Sequence, residues 1–161
     1  MSINLLHLLL LIIIANGAPV VLRALMKNRL NLPVDFCRRL ADDNPLFGKS
    51  KTWRGIAGAL IFTSVGAVLL GYPAVTGILV ALYVVAGDIF SSFIKRRLGM
   101  APSSMAPLLD QVPESLFPAI MLRDVFELNM ESIIILVCAF VISELLLSYI
   151  FYKLGIRKKP Y

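Results

Sequence analysis

The sequence predicts an all-α, polytopic membrane helical bundle of about five transmembrane helices. Three observations lead there. The mean hydropathy is +0.82 and 58% of the residues are hydrophobic, far above the share in a soluble domain. Several apolar runs approach the roughly 20 residues a helix needs to cross a bilayer core. The basic residues cluster between those runs rather than within them. At 161 residues the chain is expected to form a single integral-membrane domain over 1–161.

The expected spans follow in order. Residues 3–25 form the first. The run lacks a basic leading segment and outlasts a signal-peptide core, so it is expected to be retained. Residues 55–72 form the second, short but almost uncharged, with Gly55, Gly58 and Ala59 as small residues suited to close helix packing. Pro73 marks a tight turn, and 74–94 form the third span. Residues 112–125 are the weakest segment, carrying Pro113, Glu114 and Pro118, and could be a kinked span or a re-entrant piece. Residues 132–152 form the last.

Charge decides the count. With five spans, 15 of the 16 Lys and Arg residues fall on one side, as positive-inside topology requires. The N-terminus is then expected outside and the C-terminus in the cytosol, as in a multi-pass cell-membrane protein. A four-span arrangement would put Lys95, Arg96 and Arg97 opposite the cationic tail.

Composition also excludes some functions. The formal charge of +6 lies at membrane borders without interleaved aromatics, so nucleic-acid binding is not expected. Cys37 and Cys138 have no zinc-type partners and no disulfide framework. His7 stands alone near the outer end.

Asp88 is the residue that most demands explanation. It sits in GILVALYVVAGDIFSSFIKRR, and an intramembrane carboxylate costs about 2.5–3.5 kcal/mol unless compensated. On a helix, Asp88, Ser91, Ser92 and Lys95 share one face. They form a polar stripe that runs to the Lys95–Arg97 cations, with Asp110 shortly after. Asn16, in the first span, is expected near the same inward cavity or as interhelical glue. The first loop adds Lys49, Lys51 and Arg54 beside Gly48 and Gly55. GKSKT is not a P-loop, because the full spacing and a preceding strand are missing. The residue types suit a polyphosphate, and two nearby aspartates suit Mg²⁺ shared with phosphate oxygens. In a membrane, that combination points to a nucleotide reacting with a lipid phosphate.

GDIFSSFIKRRLG followed by LLDQ, preceded by GKSKTWRG, resembles the CDP-archaeol synthase family, integral-membrane relatives of CDP-diacylglycerol synthases. ANGAPV and LPVDF fit the same family, and the resemblance covers about Ala15 to Gln111. It implies cytidylyl transfer from CTP to a lipid phosphate, release of pyrophosphate, Mg²⁺ as cofactor and a role in phospholipid biosynthesis. On that resemblance Asp88, Ser92, Lys95 and Arg96 match one motif. Asp110 and Gln111 match the second, and Lys51, Thr52, Arg54 and Gly55 the third. VPESLFPA departs from the apolar continuation expected of archaeal members and looks more like bacterial relatives, which leaves the lipid open.

The roles expected from this reading are specific. Asp88 and Asp110 hold the metal. Lys95 and Arg96 neutralise the reacting anions. Lys51 and Arg54 hold the triphosphate, and the lipid phosphate arrives sideways from the inner leaflet. The alternatives are a small transporter or channel using Asp88 as an ion site, or a non-catalytic scaffold. Simpler roles also exist: Lys95–Arg97 as a membrane anchor, Asp110 as a helix cap, Asp42 and Asp43 as a solvated loop patch. Glu144 could pair with Arg123 or face the cavity.

Overall fold

The computed structural model describes residues 2–27, 29–101, 104, 106 and 108–155. Expected cations Arg157, Lys158 and Lys159 lie outside the described residues. Five helices follow one another: α1 (Ile3–Met26), α2 (Trp53–Leu69), α3 (Ala74–Arg97), α4 (Gln111–Met121) and α5 (Met130–Lys153). Among the described residues the only β pairing is two isolated bridges in the α1–α2 connection, Pro33 with Thr52 and Arg39 with Pro45.

Local chemistry sets the helix boundaries. α2 starts two residues earlier than expected because the Thr52 hydroxyl accepts from the Gly55 N–H at 3.2 Å. α5 also starts early, capped by the Asn129 side chain, which accepts from Ser132 N–H at 2.8 Å. Each cap satisfies a backbone donor that the first turn leaves open. α3 outruns its apolar stretch and carries all three cations in its last turn, where the helix dipole favours positive charge. α2 and α3 meet in a tight turn at Gly71, whose φ of +87° suits glycine.

α1, α3 and α5 have 24 residues each and are apolar enough to cross a membrane, about 36 Å long at 1.5 Å per residue. α2, with 17 residues, is the shorter apolar helix. α4 has only 11, too few to cross a hydrocarbon core as helix alone. The segment nonetheless runs alongside about half the length of α1. Asn16 of α1 donates to Glu114 at the start of α4, and Asn4 of α1 donates to Glu127 beyond its end at 3.2 Å. Residues 114–127 therefore lie antiparallel to α1, part helix and part turn. The described residues of the α1–α2 and α3–α4 connections and the end of α5 accordingly gather at one end of the bundle, which we call the loop end. Tyr72 and Glu127 lie at the other, where His7 bonds the Tyr72 hydroxyl at 3.2 Å.

The core is apolar toward that far end. Leu5, Leu8, Leu11, Ile12, Leu136 and Phe140 are essentially inaccessible, with Ala59, Ala67, Val80 and Ala81 between them. Outward residues such as Phe62, Val65, Leu69, Ile134, Ile142 and Leu146 stay exposed. An apolar exterior over an apolar core is the pattern of a helical membrane protein. Small residues allow the tightest approaches. A Cβ at Gly87 of α3 would lie 2.5 Å from the Pro113 carbonyl carbon and 2.7 Å from Glu114 N, so α3 and α4 touch backbone to backbone beside Asp88.

Candidate active site

The polar interior begins where the apolar core ends. Asp88, on α3, forms an ion pair with Lys51 from the first loop. The Glu114 carboxylate of α4 lies beside it, close enough to interact electrostatically, and Glu114 accepts from the Asn16 amide on α1. Three helices and a loop thus converge on one pair of carboxylates. Burial works against the Lys51 ammonium, but Asp88, Glu114 and Asp110 together hold its pKa above the usual lysine value. Lys51 remains a cation here.

One helical turn and more along α3, a second pair forms. Lys95, nearly buried, meets Asp110 at 2.7 Å and donates to the Ser104 carbonyl at 3.2 Å. Asp110 precedes α4, but its side chain does not cap that helix. It accepts instead from Ala106 N–H at 3.3 Å. Arg96 is 2% exposed and donates to the Ala101 carbonyl at 3.0 Å. Its Nε and a terminal nitrogen are buried without a hydrogen-bond partner among the described residues. Buried donors left open in this way favour an incoming anion. Ser92 is buried on the same face of α3, and Ser91 bonds back to the Asp88 carbonyl at 2.9 Å.

The remaining expected site residues are engaged in building the site. Arg54 donates to the Lys27 carbonyl at 3.0 Å and to the Arg29 carbonyl. It ties the exit of α1 to the start of α2 through one terminal nitrogen, while its Nε is buried without a hydrogen-bond partner among the described residues. Thr52 is the α2 cap, and Gly55 packs against Pro19, whose Cβ would lie 3.3 Å from an added side chain. Gln111 is held at both ends of its amide. Its amide donates to Glu144 of α5 at 2.6 Å and its carbonyl oxygen accepts from Leu108 N–H at 2.9 Å. Glu144 also accepts from Ser148 at 3.4 Å, so it faces the interior, while Arg123 pairs with Asp124. Of KTWRG, then, Lys51 alone reaches the carboxylates. Arg54→Ala is accordingly expected to lower the thermal unfolding temperature in detergent while leaving the KM for nucleotide within about twofold. A rise in that KM with unchanged stability would contradict this.

The first loop is folded over the site by Asp35. This carboxylate accepts backbone N–H bonds from Gly48 at 2.8 Å and from Phe47 and Cys37 at 3.0 Å each. Burial pushes the Asp35 carboxyl up, but the three bonds outweigh it and hold it below the usual aspartate value. A depressed native pKa adds stability above the unfolded pKa near 3.9, and that stability is lost as pH falls through the native value. Limited proteolysis within 36–50 should therefore stay slow at neutral pH and accelerate only well below pH 4. Asp35→Asn should be cut readily at neutral pH, and equal resistance in the two proteins would refute the strut. The loop is also pinned to α3, because Arg97 donates to Asp42 at 2.6 Å and to the Pro45 carbonyl at 2.8 Å. Asp42 is thus a docking residue, whereas Asp43 pairs only with exposed Arg39.

Sequence reading missed Glu114. It counted against a spanning helix, yet it is 5% exposed, bonded to Asn16 and set beside Asp88. The available signal was its position three residues after Gln111 on a helix with Pro113 and Pro118, where a buried carboxylate needs a partner as much as Asp88 does. Asp88 and Asp110 do not contact each other in the pairs formed. Each is bound to its own lysine, and each also feels the other's lysine electrostatically.

The class these features define is a helical membrane protein with a carboxylate–cation cluster at one end. Comparison identifies the family. Residues 2–161 match the model of the CarS-like CDP-archaeol synthase family, and this chain belongs to that family. It is 31% identical to the CDP-archaeol synthase of Sulfolobus acidocaldarius over 156 residues, covering 92% of this chain and 91% of the relative. It is 34% identical to that of Sulfurisphaera tokodaii, covering 92% and 90%. It also resembles the solved structure of an intramembrane enzyme for archaeal membrane lipids biosynthesis, with a TM-score of 0.71, 30% identity and coverage of 86% and 89%.

Proposed function

We propose that this chain transfers a cytidylyl group from CTP to a membrane lipid phosphate, giving a CDP-lipid and pyrophosphate with Mg²⁺ as cofactor. The observation that carries it is the juxtaposition of two carboxylates, the half-buried Asp88 and the buried Glu114, beside Lys51 and within electrostatic reach of Lys95 and Asp110. Family membership supplies the nucleotide and the reaction class.

The donors fit Mg²⁺. Two adjacent carboxylates and the Asn16 amide offer hard oxygen ligands, and carboxylates side by side call for a shared proton or a cation. Among the described residues no three acidic, His or Cys side chains form a metal nest, so substrate phosphates would complete the shell, the usual mode for Mg²⁺. Asp88 and Glu114 would hold the ion, with Asp110 close to the same cations. When bound, it would polarise phosphoryl oxygens and neutralise charge on the departing pyrophosphate.

The chain's own groups address the rest of the barrier. The acceptor phosphate is already an anion, so no strong base is needed. The obstacle is repulsion between two polyanions and charge build-up on the leaving group. Lys51 and Lys95 are fixed cations on either side of the carboxylates, and Arg96 has open donors for an anion. Such preorganised charge in a dry site is worth far more than in water. A phosphate oxygen of the lipid forms a bond to the α-phosphorus of CTP, the α–β bridging bond breaks, and its electrons leave with pyrophosphate. Among the described residues the charged and carboxylate groups of the interior gather at the loop end, while the far-end core is mainly apolar, which favours an enzyme site over a transporter.

The direct test offers labelled CTP and a panel of lipid phosphates (diacyl, ether-linked and prenyl-chain) to the purified protein in vesicles. Mass spectrometry should detect a CDP-lipid with at least one of them and equimolar pyrophosphate. No CDP-lipid with any member would reject the proposal.

A further inference from the structure

The first acidic residue of the chain is Asp35, and α2 carries none. The corner where α1 ends and α2 begins is therefore cationic alone. Arg23 stands in the last turn of α1, Lys27 ends that helix, Arg29 follows, and all three side chains are exposed. Arg54, in the first turn of α2, is buried and donates to the backbone carbonyls of Lys27 and Arg29. Among the described residues none of the four pairs with a carboxylate, whereas Arg39, Lys51, Lys95, Arg97 and Arg123 each pair with an aspartate. Asp35 does not answer this charge. It is buried and turned onto the backbone N–H groups of its own loop.

Backbone bonds hold these cations together. The Lys27 N–H donates to the Arg23 carbonyl at 3.0 Å, so the two side chains leave α1 one turn apart. The Trp53 N–H donates to the Leu32 carbonyl at 3.1 Å. With the two Arg54 bonds, this lays the chain beyond α1 across the first turn of α2, where the apolar exterior ends. Large apolar side chains stand between the cations. Leu25 is 75% exposed and Leu30 73%, and Leu32 and Trp53 are exposed as well. Leu30 sits at φ +52°, a left-handed backbone that is strained for leucine. Strain of this kind persists where the fold makes use of it, and here it turns a leucine outward.

Exposed leucines, a tryptophan and unpaired cations on one tied corner suit the headgroup layer of a bilayer. A soluble anion would answer the charge and leave the leucines in water. We propose that the α1–α2 corner binds a resident anionic phospholipid of the loop-end leaflet, its phosphate among Arg23, Lys27 and Arg29 and its upper chains against Leu30 and Trp53. This lipid is a fixed partner and not the cytidylyl acceptor, since the three exposed cations bond to none of Asp88, Glu114, Lys95 and Asp110. The inference goes beyond the transfer reaction and does not rest on it. At about fivefold per cation near a charged surface, three cations enrich an anionic headgroup over a zwitterionic one on the order of a hundredfold, less what salt screens.

Trp53 is the only tryptophan in the chain, so its fluorescence reports the lipid beside it. The purified protein is placed in phosphatidylcholine vesicles that carry a small, varied fraction of one brominated lipid, either phosphatidylglycerol or phosphatidylcholine. Bromine high in the acyl chains quenches tryptophan at short range. Phosphatidylglycerol is a phosphodiester with no terminal phosphate to accept a cytidylyl group, so its binding reports this surface and not the reaction. The quenching curves should give phosphatidylglycerol a preference of at least about tenfold over phosphatidylcholine in the native protein. Combining Arg23→Gln, Lys27→Gln and Arg29→Gln should bring the ratio to within about twofold of unity. Combining Arg38→Gln and Lys49→Gln, which removes exposed charge from the part of the loop folded over the site, should keep it within about twofold of native.

Equal quenching by the two lipids in the native protein would overturn the proposal, and that comparison needs no variant. A preference that survives in the triple variant would overturn it too. So would an equal fall in the Arg38 and Lys49 control, because the preference would then belong to a diffuse field of basic loops and not to this corner.

Discussion

Asp88→Asn should reduce CTP-dependent transfer by about two to three orders of magnitude, the usual loss when one preorganised electrostatic partner is removed from a dry site. The substitution is nearly isosteric, so packing at Gly87 and the path of α3 are retained. What changes is charge. Lys51 loses its ion-pair partner, and Glu114 loses the second carboxylate with which it would share a cation. The loss should fall on kcat, with unfolding temperature in detergent within a few degrees of native. Activity within tenfold of native, in a folded protein, would remove Asp88 from the chemistry.

Gly87→Ala should be among the most damaging small substitutions in the bundle. A methyl group there meets the Pro113 carbonyl and Glu114 backbone, and neither is a flexible side-chain end that could swing aside. Overpacking of this kind costs about 1–3 kcal/mol. The two helices must also separate at the point where α3 presents Asp88 and α4 presents Glu114. We therefore expect a lower unfolding temperature together with a loss of activity greater than the loss of folded protein explains. The neighbouring Ala86→Leu, on the exposed side of the same helix, should be close to neutral in both measurements. Equal effects at 86 and 87 would show that the backbone approach is not what joins the two carboxylates.

The contrast between residues 86 and 87 also indicates what a linear sequence can convey. The polar face of α3 was legible because it is local: Asp88, Ser92 and Lys95 recur at helical spacing, and the structure buries Ser92 and Lys95. The three long apolar helices were legible for the same reason, since each is one continuous run. Element ends were off by a few residues wherever a cap such as Thr52 or Asn129 starts the helix ahead of the apolar run. The site itself was only half legible. Lys51 finds Asp88 across 37 positions and Asn16 finds Glu114 across 98, and no spacing rule encodes such pairs. They arise from which helices pack together. Glu114 read as a defect in a weak span because its compensation lies on α1 and α3. The bonds of Arg54 to the carbonyls of Lys27 and Arg29 were equally invisible, because an arginine near glycines carries no mark of the backbone it also serves.

These points return to the coupling between two carboxylates from different helices. If Asp88 and Glu114 act as one unit, removing either should disable most of what removing both would disable, since groups that work together are strongly non-additive. The decisive measurement is the rate of CDP-lipid formation in a double-mutant cycle of Asp88→Asn, Glu114→Gln and the double variant, each verified as folded. The structure predicts a large loss in each single variant and a double variant no worse than about threefold below the poorer single. A Glu114→Gln protein with native activity, or losses that multiply in the double variant, would contradict a shared site.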